Sequence, residues 1–169
     1  KLIGQEPCFV LYPDDIIESK TPGCLQLAQV FKTSQKPVTA LCELEKEQLS
    51  SYGVVDAEKI AQRLYKVKKI VEKPKGEAPS NLAILGRRII TPEVFDYLKK
   101  AKPNKRGEVI LTEALADMVK DGKIIYGYEI EGRWWEAGNK KDWLKTHLHY
   151  SLNDPALKKD LQEFIKEEL

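Results

Sequence analysis

The chain has few cysteines, little net charge and no long apolar run, and each shortage excludes a class of protein. Cys8, Cys24 and Cys42 are an odd number with no Cys-x-x-Cys spacing, and two of them sit in apolar, strand-like runs. A disulfide framework and a zinc site are both excluded on that count, and the pattern fits a reducing cytoplasm. Lys and Arg number 28 against 26 Asp and Glu, a net charge of +2. So small an excess gives no field that would gather nucleic acid. The cluster Lys66, Lys68, Lys69, Lys73 and Lys75 is interleaved with acidic residues and carries no aromatic stacking surface. No stretch reaches the roughly 18 apolar residues of a membrane span, and no signal peptide is visible. The opening Lys1-Leu2-Ile3-Gly4 has no Met and no capping signal, and the chain enters an apolar strand within a few residues. This reads as a chain cut from something longer.

What is present is an ordinary globular composition, 42% hydrophobic and 32% charged over 169 residues. A chain of this length buries roughly 70% of the surface its unfolded form exposes, which suits one domain or a large part of one. Short continuous apolar runs predict buried strands at Cys8–Tyr12 and Pro37–Leu44. Partial alternation over Leu64–Val71 predicts a strand with one solvated face, following an extended Gly53-Val54-Val55-Asp56. Leu82–Ile90 is apolar again, interrupted at Gly86-Arg87-Arg88, and Lys123–Ile130 alternates with Ile124, Tyr126, Tyr128 and Ile130 on one face.

Helical spacing predicts helices over Leu25–Ser34, from Thr91-Pro92-Glu93 with Thr91 as cap, over Leu111–Met118 with Thr112 as cap, and from Asn139 to Tyr150. Glu45–Ser50 reads as a short polar helix, and Asp154-Pro155 opens a last amphipathic helix. Strands alternating with helices mean an α/β architecture. There is no repeat, low-complexity tract or linker.

Four stretches have the residue types for chemistry. Asp14-Asp15 follows an apolar strand, and ligands of open α/β sheets bind beyond the carboxyl ends of strands. A carboxylate there holds Mg²⁺ with few protein ligands, because Mg²⁺ keeps its waters. Pro-Asp-Asp is equally good turn chemistry. In Val71-Glu72-Lys73-Pro74-Lys75 the carboxylate can accept from two neighbouring sugar hydroxyls, and the lysine can place a point charge on a phosphate. The same residues also suit a solvated loop. Gly53 permits close backbone approach to a ligand, or simply a turn. In Gly132–Lys140, Glu136 ahead of Gly138 offers a second metal carboxylate, while Trp134 and Trp135 suit a core or an interface.

In this order the pieces resemble the sugar-nucleotide pyrophosphorylases, on their bacterial UTP–glucose-1-phosphate uridylyltransferase branch. The matching stretches are VLYPDDII from Val10, YGVVD from Tyr52, VEKPK from Val71, APSNLAILG from Ala78, TPEVFDYL from Thr91 and GEVILTEAL from Gly107. The resemblance covers nearly the whole chain. It implies a Rossmann-like nucleotidyltransferase fold, a mixed sheet flanked by helices, with residues 1–169 forming the C-terminal, sugar-phosphate-binding part and C-terminal helices from about Asn139.

It also implies an enzyme that joins UTP to glucose 1-phosphate, forming UDP-glucose and pyrophosphate, with Mg²⁺ as template and Lewis acid. By position Asp14 resembles the metal-binding aspartate and Lys73 the phosphate-contacting lysine, the two catalytic assignments. Glu72 resembles the sugar-hydroxyl acceptor and Gly53 the glycine abutting the sugar, while Asn81 and Ile84 lie in the sugar-side strand. The family's usual second metal ligand is an aspartate where Glu136 stands, and its usual Leu-Thr-Asp-Ala is Leu111-Thr112-Glu113-Ala114 here. Its Gly-rich nucleotide-binding loop is absent from these residues, so the chain alone is expected to be inactive. The resemblance implies a homo-oligomer for the intact enzyme, a cytoplasmic location, and neither nucleic acid nor membrane as partner. Alternatives are a pyrophosphorylase for dTDP-glucose, or a non-catalytic binding or assembly module of the same fold with subunit contacts through Trp134, Trp135 and the helices after Asn139.

Overall fold

The structure is a computed structural model that describes residues 3–168; Lys1 and Leu2 of the expected opening and Leu169 of the last helix lie outside it. Strands β1 (Cys8–Leu11), β3 (Val38–Glu43), β4 (Gly53–Ala61), β5 (Leu64–Glu72), β6 (Leu82–Ile90) and β7 (Tyr126–Glu129) form a mixed sheet in the order β1-β6-β3-β7-β5-β4. Among the described residues, β3 and β7 are the one pair that runs parallel. A further bridge, Val54 to Ala83, draws β4 back onto β6. A second, two-stranded sheet pairs β2 (Asp15–Glu18) with β8 (Arg133–Glu136). The helices are α1 (Gly23–Ser34), α2 (Val94–Lys100), α3 (Leu111–Lys120), α4 (Lys140–Asn153) and α5 (Lys158–Glu168).

β6 runs unbroken over Leu82–Ile90, across the expected interruption at Gly86-Arg87-Arg88. Ile84 and Ile90 face one layer, with Val94 of α2 and Leu115 and Met118 of α3. Leu85 and Ile89 face the other, against Leu27 of α1 and Val38 and Ala40 of β3. A strand covered on both faces has no polar period. Gly86 does not break it: a Cβ there would collide with the Asp15 carboxylate and the Tyr12 ring, so only glycine lets those side chains cross the strand.

Several local expectations give way to tertiary context. β1 is an edge strand, pairing only with β6 among the described residues; Phe9 and Leu11 are exposed, so its apolar run does not mean burial on both faces. Glu45–Ser50 forms a turn leading to a single 3-10 turn, Leu49–Ser51, anchored by buried Leu49. α2 begins at Val94 with no side-chain cap, and Thr91 contributes its carbonyl to the Val94 N–H (3.0 Å). Thr112 does not cap α3; it lies inside the first turn, buried, and its hydroxyl accepts from Arg88 (3.3 Å). The alternating strand at Lys123–Ile130 shortens to Tyr126–Glu129. Asn139 caps α4 as expected, accepting from the Asp142 N–H at 3.0 Å.

Candidate functional site

Two clusters meet beyond the end of β1. The chain leaves β1 at Tyr12, turns through Pro13-Asp14, and enters β2 at Asp15. β2 pairs with β8 so that Asp15 stands opposite Glu136, and the Ala137 N–H donates to the Asp14 carbonyl at 2.7 Å. This crossing sets Asp14 beside Glu136. A Cβ placed on Gly138 would lie 2.9 Å from Asp14 Oδ2 and 3.6 Å from Glu136 Oε1. Both carboxylates therefore converge on an open spot that only the missing side chain of Gly138 leaves free.

The second cluster is built on β4 and β5. Gly53 pairs with Glu72, and a Cβ on Gly53 would lie 3.1 Å from Glu72 Oε2, 3.0 Å from Thr112 Cγ2 and 3.5 Å from Ile84 Cδ1. Glu72, Thr112 and Ile84 thus form a cradle around the bare Cα of Gly53. The residue before Gly53 joins the clusters: the Tyr52 hydroxyl donates to Glu136 Oε2 at 2.6 Å, and its ring meets Trp134 edge-on at 5.4 Å. Burial, and then the bond to Glu136, push the Tyr52 hydroxyl pKa upward, so it remains a donor.

Lys73 follows Glu72 in a left-handed conformation (φ 44°), unusual for a residue with a Cβ. Its N–H donates to the Tyr52 carbonyl at 3.1 Å, holding the Glu72–Lys73 corner against the Tyr52–Gly53 peptide, while its side chain is exposed. Such local strain clusters at binding sites.

The sequence-predicted residues are thus brought together in two groups, Asp14 with Glu136 and Gly53 with Glu72 and Ile84, with Lys73 adjoining the second. Asn81 is not drawn in: it is exposed ahead of β6, and its carbonyl accepts from the Leu44 N–H at 3.0 Å. Sequence reasoning named Asp15 only beside Asp14, Tyr52 only as part of a matching stretch and Thr112 only as a helix cap, and gave none of them a role in the site. Asp15 accepts from the Gly86 N–H (2.7 Å) and from Trp134 Nε1, which ties β2 to β6 and β8. Only the adjacency of Tyr52 to Gly53, and of Asp15 to Asp14, offered a local sign.

The donor set suits a hard cation. Asp14 and Glu136 present carboxylate oxygens to one spot, and no group of three or more His, Cys, Asp or Glu converges among the described residues. Two carboxylates with the remaining positions left to water and phosphate match Mg²⁺ better than a metal held wholly by protein.

A mixed sheet flanked by helices, with a carboxylate pair beyond the end of β1, is the setting of a nucleotidyltransferase. The family described as "Nucleotidyl transferase" matches residues 1–152, and the chain belongs to it. It is 43% identical over 168 residues to the UTP–glucose-1-phosphate uridylyltransferase of Staphylococcus haemolyticus (strain JCSC1435), covering 99% of this chain and 58% of that protein. The same-named enzyme of Staphylococcus epidermidis (strain ATCC 12228) is 40% identical over the same shares. Among solved structures, UDP-glucose pyrophosphorylase complexed with UDP-glucose superposes with a TM-score of 0.85 at 35% identity, over 90% of this chain and 59% of the other. The UTP-bound enzyme from Acinetobacter baumannii gives 0.81 at 27%, over 98% and 58%. The chain therefore spans somewhat over half the length of the relatives it matches.

Proposed function

We propose that this chain carries the sugar-phosphate side of a UTP–glucose-1-phosphate uridylyltransferase. The observation that carries the reading is the joining of the Gly53–Glu72 cradle to the Asp14–Glu136 pair through Tyr52. Through Tyr52, a sugar held in the cradle and the carboxylate pair that would hold a metal share one stretch of backbone. Relatives of 40% identity and more bear that enzyme's name, which favours this reading over a non-catalytic module of the same fold.

The Glu72 carboxylate accepts from two vicinal hydroxyls of glucose, and the bare Cα of Gly53 lets the ring lie against backbone. Lys73 sets its ammonium against the phosphate of glucose 1-phosphate and so orients the attacking oxygen. That oxygen forms a bond to the α-phosphorus of UTP as the bond to pyrophosphate breaks, in line. Asp14 and Glu136 would hold Mg²⁺, which when bound supplies charge neutralisation at the transferring phosphoryl group. Tyr52 keeps one Glu136 oxygen hydrogen-bonded and so fixes which oxygen faces Asp14. The contacts to base and triphosphate lie outside these 169 residues, which we expect to bind sugar phosphate without turnover. The reading places the intact enzyme in the cytoplasm as a homo-oligomer.

The test is binding of UDP-glucose and its 3-deoxy analogue to the chain and to two variants, by calorimetry. Glu72→Gln is expected to erase the preference for UDP-glucose, because a site built for a hydroxyl discriminates through its buried polar partner. Lys73→Ala is expected to weaken both ligands alike. Equal weakening by Glu72→Gln with altered preference in Lys73→Ala reverses the roles; unchanged binding in both returns the loop to solvent.

A further inference from the structure

Arg88 is a buried cation without an anion. It lies in β6 and is 4% exposed. Among the described residues its Nε has no hydrogen-bond partner, and neither has Oγ1 of Thr39, the residue opposite it on β3. Arg88 takes part in no ion pair among the described residues. What it has are two long contacts with neutral hydroxyls, Nη1 to Tyr12 at 3.4 Å and Nη2 to Thr112 at 3.3 Å, and the face of the Tyr12 ring at 5.4 Å. Burying a guanidinium this way is costly unless an anion completes it.

The Arg88 contact at Thr112 falls in the first turn of α3, a ten-residue helix with no side-chain cap at Ile110. The Ile110 carbonyl takes the Glu113 and Ala114 N–H groups, leaving those of Leu111 and Thr112 without backbone partners among the described residues. The positive end of a helix dipole and an unpaired guanidinium repel each other, and an oxyanion between them would satisfy both. Thr112 is also a wall of the Gly53–Glu72 cradle, with Cγ2 facing Gly53 and Oγ1 facing Arg88.

We propose that Arg88, the hydroxyls of Tyr12 and Thr112 and the uncapped first turn of α3 form an oxyanion-binding subsite contiguous with the sugar cradle. It takes a carboxylate or phosphate oxyanion, and its contiguity through Thr112 points to one borne by the sugar. Tyr12, exposed at the surface over Arg88, is the side chain that moves to admit it. Placement of the oxyanion on the sugar rests on the reading of the cradle given above; the binding of an oxyanion at Arg88 does not.

The experiment follows the Arg88 Nε–H resonance of the folded chain by NMR during titration with inorganic phosphate, glucose 1-phosphate and glucuronic acid 1-phosphate. Phosphate or glucuronic acid 1-phosphate is expected to shift it. A sugar-borne oxyanion makes glucuronic acid 1-phosphate bind about tenfold more tightly than glucose 1-phosphate, the effect of one charge-assisted contact. A free-ion site responds to phosphate and leaves the two sugars equal. With binding of the same three ligands read by calorimetry, Arg88→Met is expected to abolish the preference or the phosphate response, and to melt at a higher temperature than the parent in chloride buffer. Arg88→Lys is expected to keep part of the response. An Arg88 Nε–H that no oxyanion moves, or an Arg88→Met chain that binds phosphate and both sugar phosphates with the parent's affinities by calorimetry, overturns the subsite. Loss of glucose 1-phosphate binding with a persisting Arg88 response would sink the sugar cradle and leave the subsite standing.

Discussion

Asp15 is held on two sides, by the Gly86 N–H and the Trp134 indole, and burial raises its pKa above the ordinary aspartate value of 3.8 despite both bonds. Its neighbour Asp14 is exposed and points at Gly138. With the folded pKa above the unfolded one, ionised Asp15 costs stability at neutral pH, and that cost disappears as pH falls through the folded value. Carbon-detected NMR titration should find Asp15 losing its proton after Asp142, whose carboxyl is held low by the Asn139 amide and Lys145. The reverse order would mean that the hydrogen bonds outweigh burial.

Gly53 gives a second test at the same scale. Gly53→Ala places a methyl 3.0–3.1 Å from Thr112 and Glu72, so the carboxylate must give way. We expect sugar-phosphate affinity to fall at least tenfold, a loss of about 1.4 kcal/mol, read by calorimetry. Tyr52→Phe should leave the cradle intact and weaken Mg²⁺ binding about tenfold by freeing Glu136, the usual consequence of removing a partner of a metal ligand. Unchanged Mg²⁺ affinity would detach Glu136 from the metal.

Among the elements, β2 and β8 were the least legible, though they position Asp14 and Glu136. Each is four residues long, and each exists because the other lies opposite it, more than a hundred residues away in the chain. No local period can announce a strand whose partner is that remote. β6 was partly legible: its apolar residues showed in the composition, but Gly86-Arg87-Arg88 read as an interruption that the strand in fact crosses. The Asn139 cap was also legible, because its bond closes within three residues. Asn139→Ala should cost about 1 kcal/mol, measured by urea denaturation. Gly86→Ala should cost more than Asn139→Ala, since the new methyl meets the Asp15 carboxylate and the Tyr12 ring inside a covered strand.

For the molecule as a whole, the outer edge of β1 is unpaired among the described residues, and Phe9 and Leu11 are exposed beside it. An apolar, unpaired edge is a template for association. Sedimentation should show the isolated chain associating with rising concentration, and Phe9→Lys should suppress that; a dilute-to-concentrated series with one invariant monomer mass would contradict it. The sequence by itself determined the α/β class, the Asn139 cap and the apolar character of Leu82–Ile90, because these follow from residue types within a few positions of one another. Only the tertiary structure decided that Asp14 meets Glu136, that Thr112 lines a cradle instead of capping a helix, and that Arg88 is buried beside two neutral hydroxyls. Each of those depends on which strands pair, and pairing is set by burial summed over the whole sheet, a quantity that no short window of sequence contains.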